Sequence, residues 1–466
     1  MKRILALLLA VTALAAVCAG CGPSGGAPAA AQTTAAAQTT AAAAQTTAAA
    51  AQTTAAAQAA GEKIKLRLMS TIALETPEDG CEKRYVQDFM DANPNIEIEI
   101  IPVASNDRDK EMIAMATAGN LPDMVPGGTS MAMQLDDMGY VSDLFKILGN
   151  EFCDGFIDAE RDLNVLEDGR LVCAPMFRSP TGLLYRADWL EELGLKVPTN
   201  WAEFAEVAKK MTRDTNGDGT IDKYGVALVA TNNGSAQGRY NVMMATITGK
   251  ESDSLIKNPD GTFATGINTP EGIRAMRNWT DLVVTHKVVP PGEMEVSYRE
   301  AVAQMSSELC GMMITGPHSL GAIYAGNPDL KGKIYVTVCP SDNYTVTTRG
   351  GDSAILNAKS KNIMHMAEYM KYFLSAKCAV DFNAVTGRLP TTKAVMALLK
   401  EDPIVSNLLN ADITLYYAGT PAPFAGEVGN AVGEAYQSVL AGQATVEAAC
   451  AAAEKKILQI IEEAGS

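Results

Sequence analysis

The sequence predicts an α/β fold of two or three domains behind an exported N-terminal segment. Apolar and polar side chains alternate at 64–69 and again at 96–103, with a helical segment between them. This strand–helix–strand order is typical of a parallel sheet with right-handed crossovers. The 406 positions from 61 to 466 provide two or three domains at roughly 100–200 residues each. With 47% hydrophobic and 20% charged residues, the chain has the balance of a globular protein.

The first 20 residues have the pattern of an export signal. Lys2 and Arg3 precede an apolar run at 4–17, and Ala19-Gly20-Cys21 follows. The run is shorter than the roughly 20 apolar residues of a membrane span. Ala-Gly-Cys resembles the bacterial lipobox, which implies a signal peptide at 1–20 and a lipid on Cys21. Cys18 occupies the place where the lipobox usually has Leu, and an ordinary secreted protein cut at the same small residues is the alternative.

Residues 21–61 are expected to be the lipidated cysteine and a disordered tether. From 27 to 60 the sequence is almost wholly Ala, Gln and Thr, and Gln-Thr-Thr recurs from positions 32, 38, 45 and 52. It has no large apolar side chain whose burial could offset the entropy of ordering the chain. Folded structure is therefore predicted to begin near residue 62.

The elements after the tether follow in order. The alternation at 64–69 predicts a strand, and a helix ends at Asn93-Pro94. A second strand at 96–103, a helix from Asp107 to Gly119 and a strand near 121–125 complete the first block. Apolar runs at 171–175 and 182–185 open a second block with helices at 189–193 and 201–212. Further strands are predicted at 224–229, 311–314 and 334–338, and an Ala-rich helix at 445–463.

Charge and cysteine usage exclude some classes of function. The formal net charge is −16 and there is no long basic run after residue 3, so nucleic-acid binding is not expected. Seven cysteines remain after Cys21, an odd number at irregular spacing without a C-x-x-C pair. We expect buried thiols rather than a disulfide framework.

Several blocks, in order along the chain, resemble the extracellular solute-binding proteins of bacterial ABC importers, the family of maltose-binding protein. The matching blocks are 85–98, Ala118-Gly119-Asn120-Leu121-Pro122-Asp123, Leu184-Tyr185 with Pro198-Thr199-Asn200-Trp201, 311–317 and 426–448. The resemblance implies a type II periplasmic-binding-protein-like fold, with two α/β lobes joined by a hinge and the ligand in the cleft between them. The expected lobes are 62–176 plus 311–348 and 177–310 plus 349–466.

Ligands of open α/β sheets bind beyond the carboxyl ends of the strands, so the loops after the strands are the candidate site. Glycines in these loops allow the backbone to approach a ligand closely, although a plain tight turn is the alternative at each. The expected ligand-binding residues are Thr71, Gly127, Gly128, Phe177, Arg178, Ser179, Asn232, Tyr240, Gly316, His318, Asp352 and Arg388.

The chain departs from the sugar-binding members of the family in its aromatic residues. Where they commonly have tryptophans after the Gly-Pro turn and at the start of the late helix, this sequence has His318 and Ala425. The three tryptophans, Trp189, Trp201 and Trp279, lie in helical patterns and are expected to pack in cores. A short sugar or another small polar solute is therefore favoured over a long maltodextrin. His318 is a candidate hydrogen-bonding contact, and Arg178 and Arg388 are candidate partners of an anionic ligand.

A loop at 214–222 resembles a calcium-binding EF-hand loop. Asp214, Asn216, Asp218, Thr220 and Asp222 occupy its ligand positions one, three, five, seven and nine, and Gly219 its sixth. Position twelve, normally a bidentate Glu, is Gly225, which predicts weak binding. The alternative is an Asx/Gly turn between the helix at 201–212 and the strand at Tyr224. No cofactor is expected to be required, and calcium would be structural.

The sequence favours a binding protein over an enzyme. The three histidines are widely separated, and no G-x-S-x-G, H-E-x-x-H, P-loop or dinucleotide motif is present. The resemblance implies a lipid-anchored monomer at the outer face of the cell membrane that delivers a mono- or short oligosaccharide to an ABC importer permease. The alternatives are a lipid-anchored secreted hydrolase of glycosidase type, whose paired carboxylates a sequence does not reveal, and a two-lobed sensor uncoupled from import.

Overall fold

The computed structural model describes residues 63–75, 81–104, 107–249, 253–417 and 419–465. The expected signal peptide at 1–20, Cys21 and the tether at 21–61 lie outside the described residues. The folded part belongs to one compact unit, Glu62–Ser466.

The described residues form thirteen strands and nineteen α-helices. The strands are β1 (Ile64–Ser70), β2 (Ile96–Pro102), β3 (Met124–Pro126), β4 (Ala174–Pro175), β5 (Gly182–Arg186), β6 (Tyr224–Val226), β7 (Ile256–Lys257), β8 (Phe263–Ala264), β9 (Cys310–Thr315), β10 (Ile334–Thr337), β11 (Val346–Thr348), β12 (Ser353–Leu356) and β13 (Leu415–Tyr417). The helices are α1 (Ile72–Glu75), α2 (Cys81–Ala92), α3 (Arg108–Thr117), α4 (Thr129–Asp137), α5 (Leu144–Leu148), α6 (Asn150–Asp154), α7 (Asp158–Asp162), α8 (Ala187–Glu192), α9 (Trp201–Met211), α10 (Gly234–Thr248), α11 (Pro270–Val284), α12 (Tyr298–Ser306), α13 (Leu320–Gly326), α14 (Ile363–Phe373), α15 (Ala376–Thr386), α16 (Lys393–Met396), α17 (Ser406–Leu409), α18 (Ala425–Leu440) and α19 (Val446–Glu463).

The first sheet has the strand order β2-β1-β3-β12-β4. β1 is parallel to β2 and to β3, which confirms the predicted parallel strand–helix–strand block. β12 runs antiparallel to β3 and to β4. Leu66 and Leu68 of β1 contribute to one apolar cluster and Met69 to another. Alternate side chains of β1 thus enter different clusters, as expected for a strand buried on both faces.

The second sheet has the strand order β10-β5-β9-β6. β9 is antiparallel to β5 and parallel to β6, and β10 is antiparallel to β5. Its core also takes apolar residues from α9, α10, α11, α18 and α19. The three tryptophans are buried in this core, and all seven cysteines after Cys21 are buried and free. Both predictions are confirmed.

The two sheets organise two lobes, and the expected assignment of the returning segments is wrong. β9, β10 and β11 lie in the second lobe, because β9 pairs with β5 and β6 and its side chains enter the second core. β12, α14 and α15 lie in the first lobe, where their apolar residues join the first core. The segment 311–348 was expected in the first lobe and the segment 349–466 entirely in the second. The lobe to which a segment belongs depends on its pairing with distant strands, and local sequence does not reveal that pairing.

Two crossing segments, 177–181 and 349–352, run side by side between the lobes and form the hinge. The amide of Ser179 donates to the carbonyl of Gly350 (3.3 Å) and the amide of Thr181 to the hydroxyl of Thr348 (2.8 Å). The chain returns to the second lobe after α16, where the amide of Val336 donates to the carbonyl of Ile404 (3.0 Å). The carboxyl ends of β1 and β3 in the first lobe and of β9 in the second lie next to this hinge.

Candidate functional site

The first-lobe wall of the cleft is built where β1 and β3 end and β12 begins. Ser70 ends β1 and Thr71 follows it, and both are buried. The Ser70 hydroxyl donates to the buried carboxylate of Glu82 on α2. With Phe177 and Asp352, these residues line a pocket whose remaining wall is largely apolar. Polar groups at the ends of strands above an apolar floor suit a small polar ligand.

Arg388 and Asp352 add charge to this wall. The guanidinium of Arg388 lies over the Phe177 ring, 4.9 Å from its centroid, and Phe177 also packs on Phe382. Asp352 lies 3.9 Å from a guanidinium nitrogen of Arg108. Thr71, Phe177, Asp352 and Arg388 are therefore brought together, as the ligand-binding hypothesis requires.

The expected glycine contacts have different surroundings. A Cβ at Gly127 would lie 3.1 Å from the side chain of Ile355, so this glycine packs against β12. Gly128 is exposed and precedes α4 as its N-cap residue. The backbone of Gly128 therefore has room for a contact with a ligand, whereas the Cβ side of Gly127 is already occupied by protein atoms.

Arg178 and Ser179 lie in the hinge. The Nε of Arg178 donates to the carboxylate of Glu160 (2.7 Å), which is 1% exposed and also accepts from the amide of Gly350 (2.5 Å). The carbonyl of Ser179 accepts from the hydroxyl of Thr348 (3.2 Å). Arg178 has the role of a buried hinge ion pair, and its expected pairing with an anionic ligand is corrected accordingly.

The second-lobe wall is built from the end of β9 and the turn that follows it. A Cβ at Gly316 would lie 1.9 Å from the carbonyl oxygen of Pro180, so only glycine lets this turn approach the hinge. His318 follows, with Nε2 3.4 Å from the Thr315 hydroxyl and its ring 5.9 Å from that of Tyr298. Burial first, and then Arg239 and Arg388, hold the pKa of His318 well below its usual range. The imidazole is therefore neutral at neutral pH.

A turn of the first lobe reaches this wall. Gly387 has a φ of +72°, and a Cβ there would lie 1.9 Å from the carbonyl oxygen of Pro317. This close approach places Arg388 of the first lobe in the electrostatic environment of His318 of the second. Gly316, His318 and Arg388 thus meet where the lobes meet.

Two expected contacts lie elsewhere. Tyr240 is 0% exposed and packs between Trp279 and Tyr436 in the second core, so its assignment as a ligand contact is wrong. The amide nitrogen of Asn232 donates to the carbonyl of Asn430 (3.3 Å), and its oxygen accepts from Gln237 (2.8 Å). Asn232 thereby ties the loop after β6 to α18.

Sequence reasoning missed Glu82 and Arg239. Arg239 on α10 is buried, donates to the carbonyl of Ile314 and the hydroxyl of Thr315, and lies under the Tyr298 ring. It is the sole charged residue of the helix Gly234–Thr248. A lone charge in an otherwise uncharged helix was the available signal.

The calcium-like loop is closed by its own hydrogen bonds. The carboxylate of Asp214 accepts from the amides of Gly217 and Gly219 (2.7 Å each), and that of Asp222 from the amide of Thr215 (2.8 Å). The bonds to Asp214 hold its pKa below the usual value, and bonds from the hydroxyl and then the amide of Thr215 do the same for Asp222. The amides of Asp218 and Thr220 donate within the loop to Asn216 and Asp218. Among the residues that the structure describes, no group of three or more His, Cys, Asp or Glu side chains is arranged to hold a metal ion.

Two α/β lobes, a paired hinge and a cleft with polar walls define the class of two-lobed solute-binding proteins. A family model described as bacterial extracellular solute-binding protein matches residues 75–378, more than half of the chain. The chain belongs to this family.

Relatives and solved structures agree with that assignment. The chain is 20% identical to the multiple sugar-binding protein of Streptococcus mutans over 323 residues, 68% of this chain and 73% of that protein. It is 22% identical to a putative ABC transporter periplasmic-binding protein of Escherichia coli over 348 residues, 72% of this chain and 76% of that protein. A solute-binding protein of Thermotoga lettingae, crystallised with α-D-tagatose, superposes with a TM-score of 0.74 at 20% identity, over 86% of this chain and 100% of that one.

The family assignment settles the class of activity. Its members are described as extracellular solute-binding proteins, so this chain is a solute-binding protein and not an enzyme. In the parts of the chain that the structure covers, no helix has both the length and the apolar character needed to cross a lipid bilayer.

Proposed function

We propose that the cleft binds a mono- or short oligosaccharide and that the protein delivers it to the permease subunits of an ABC importer. The carrying observation is the pair of walls at the ends of the two sheets, each with buried hydroxyls beside an ionisable side chain: Ser70 with Glu82, and Thr315 with His318. Sugar hydroxyls both donate and accept hydrogen bonds. The hydroxyls and the neutral imidazole of these walls can also do both, and the carboxylate accepts. The sugar named for the Streptococcus mutans relative and the tagatose of the Thermotoga lettingae structure support this class of ligand.

The mechanism is a change in the population of lobe arrangements. A solute that contacts both walls stabilises the closed arrangement over the open one, because each wall alone offers only half of the contacts. The closed form then docks on the permease. No covalent bond of the solute changes.

The lipid anchor is part of the same proposal. The Ala19-Gly20-Cys21 sequence supports acylation at Cys21, and an anchor would keep a monomeric binding protein close to its permease. Cys21→Ser should release the protein into the medium, whereas the wild-type chain stays with the membrane fraction. Mass spectrometry that finds a free, unacylated N-terminus downstream of Cys21 would remove the anchor.

A thermal-shift screen tests the ligand class. The mature chain with Cys21→Ser is melted with sugars, amino acids and small anions, and a ligand that binds only the folded form raises the melting temperature. We expect short saccharides to give the largest rise. His318→Ala should weaken the binding of that saccharide, while the same substitution at His365, which is partly exposed on α14, should not. The proposal would be contradicted if amino acids raised the melting temperature and no saccharide did.

A further inference from the structure

The second-lobe wall holds a buried cation without a carboxylate partner in the described chain. Arg239 is 8% exposed. Its Nε donates to the carbonyl of Ile314 (2.8 Å), its Nη1 to the carbonyl and hydroxyl of Ser235 (2.8 and 2.6 Å), and its Nη2 to the hydroxyl of Thr315 (3.1 Å). All four acceptors are neutral. A buried charge that only neutral groups surround is unfavourable unless something else balances it.

Two other arginines that are largely shielded from solvent pair with carboxylates. Arg186, 2% exposed, pairs with Asp188 (2.6 Å) and Glu308 (2.9 Å). Arg178 pairs with Glu160 (2.7 Å). Arg239 differs from both, and it lies at the end of β9 beside the cleft.

Two rings connect Arg239 to the cleft wall at His318. Its guanidinium lies 5.0 Å from the centroid of the Tyr298 ring, and the Tyr298 ring lies 5.9 Å from that of His318. The charged groups that act on His318 are Arg239 and Arg388, both cations. The Nδ1 of His318 is buried and has no hydrogen-bond partner within the described residues.

Two acids lie on the opposite, first-lobe wall. Glu82 accepts from Ser70, and Asp352 lies 3.9 Å from Arg108. An anion in the cleft is therefore attracted to the cations near His318 and repelled by these acids.

We propose that the solute carries a carboxylate, as a uronic-acid saccharide does, and that the second-lobe wall binds this carboxylate through Arg239 and His318 in the field of Arg388. This inference rests on the proposed function and specifies its substrate class. A single negative charge matches the single charge of the Arg239 guanidinium, whereas the doubly charged phosphate of a sugar phosphate would be repelled more strongly by the acids of the first lobe.

Calorimetry with matched ligands tests the inference. The probes are mono- to trisaccharides of galacturonate and glucuronate, their neutral methyl esters, and galactose 6-phosphate, each titrated into the mature Cys21→Ser chain. We expect one uronate series to bind at least about tenfold more tightly than its ester, a ratio that corresponds to about 1.4 kcal/mol, with a preference that falls as salt rises. Equal or tighter binding of the esters or other neutral sugars overturns the inference that the solute carries a carboxylate and leaves the proposed function intact. Tighter binding of the phosphate overturns the carboxylate assignment, and no binding of any saccharide overturns both proposals.

Variants separate a ligand role of Arg239 from a packing role. Arg239→Gln removes the charge and should abolish the preference for acid over ester, while Arg239→Lys should retain it. Arg186→Gln, a buried arginine of the same lobe outside the cleft, is the matched control and should leave the preference unchanged. An equal loss of acid and ester binding in Arg239→Gln overturns the inference. Should Arg239→Gln fail to fold, the ratio of acid to ester affinity is measured in Arg239→Lys and in His318→Asn, and it tests the inference in the same way.

Discussion

Asp253 is a buried carboxyl group of the second lobe. Its carboxylate accepts from the amide of Ser254 (2.6 Å), and Tyr417 hydrogen-bonds to it. Burial outweighs these bonds and raises the pKa of Asp253 from 3.8 to about 6. Between about pH 4 and pH 6 the folded chain thus binds a proton that the unfolded chain releases.

The sign of the effect on stability follows from this difference. The contribution of protonated Asp253 is complete below about pH 4 and is lost as the pH rises through about 6. Asp253→Asn cannot ionise and should be more stable than the wild type at pH 7, by up to about 3 kcal/mol, and equal to it near pH 4. Urea denaturation from pH 4 to pH 7 measures the difference.

Asp260→Asn is the control, because Asp260 is exposed and its pKa is lowered rather than raised. Its stability should parallel that of the wild type over the same pH range. Parallel curves for Asp253→Asn as well would show that folding leaves the pKa of Asp253 unchanged.

The hinge ion pair gives a second prediction at a single residue. Glu160→Ala leaves the guanidinium of Arg178 and the amide of Gly350 without their acceptor. Breaking a buried pair from one side costs about 3 kcal/mol, and urea denaturation should show a loss of that order. Glu206→Ala, which removes an exposed partner of Lys209, should produce no measurable change. Equal stability of the two variants would mean that water replaces Glu160 in the hinge.

The site residues show what single positions reveal from sequence. Thr71 and His318 were predictable because they follow strands, and strand ends meet at the cleft. Tyr240 was not, since an apolar ring on a helix serves a core as well as a ligand. Arg239 was missed because a helix of the second lobe reaches the cleft only through the pairing of distant strands.

At the scale of elements, Gly225 fixes the packing of β6 on α9. A Cβ at Gly225 would lie 2.3 Å from the carbonyl oxygen of Ala208 in α9. Gly225→Ala should therefore destabilise the protein by about 2 kcal/mol, because the strand must move away from the helix. Gly238→Ala on the exposed face of α10 meets open space and should stabilise it by about 0.5–1 kcal/mol. Opposite signs in urea denaturation confirm the account, and a neutral Gly225→Ala contradicts it.

The same glycine bears on the calcium-like loop. Gly225 occupies the twelfth position, and its contact with α9 leaves no room for the chelating Glu of an EF-hand. The sequence predicts weak calcium binding at 214–222, whereas the geometry of the loop leads us to expect no folded-state site. We expect the melting temperature to be the same with about 1 mM calcium and with a chelator, since the carboxylates of Asp214 and Asp222 are already bonded to amides. A clear rise with calcium would assign a folded-state site to the loop.

Local sequence patterns predicted most of the helices and strands but little of which strands pair with each other. The alternation at 64–69 and the apolar run at 311–314 correspond to β1 and β9, and the Ala-rich end to α19. The lobe to which β9 belongs was predicted wrongly. A buried strand of Met and Ile satisfies either sheet, and only its hydrogen bonds with β5 decide between them.

At the scale of the whole molecule, one exposed ion pair joins the lobes at the rim of the cleft. The ammonium of Lys257 on β7 in the second lobe lies 3.1 Å from the carboxylate of Glu167, between α7 and β4 of the first lobe. The strands β7 and β8 form a hairpin that is held to the second lobe by the contact of Phe263 with Phe424. The pair therefore forms only while the lobes are close.

Reversal of this charge should shift the lobes apart. Lys257→Glu places two acids opposite each other at the rim, which should enlarge the radius of gyration of the unliganded chain and weaken solute binding by about two- to five-fold, the size of an exposed ion pair. The double variant Lys257→Glu with Glu167→Lys restores opposite charges and should return both quantities toward the wild type. Lys456→Glu, at an ion pair within the second lobe, is the control and should alter neither. Small-angle scattering and calorimetry measure the two quantities, and a double variant as weak as Lys257→Glu would show that the rim pair has no part in closure.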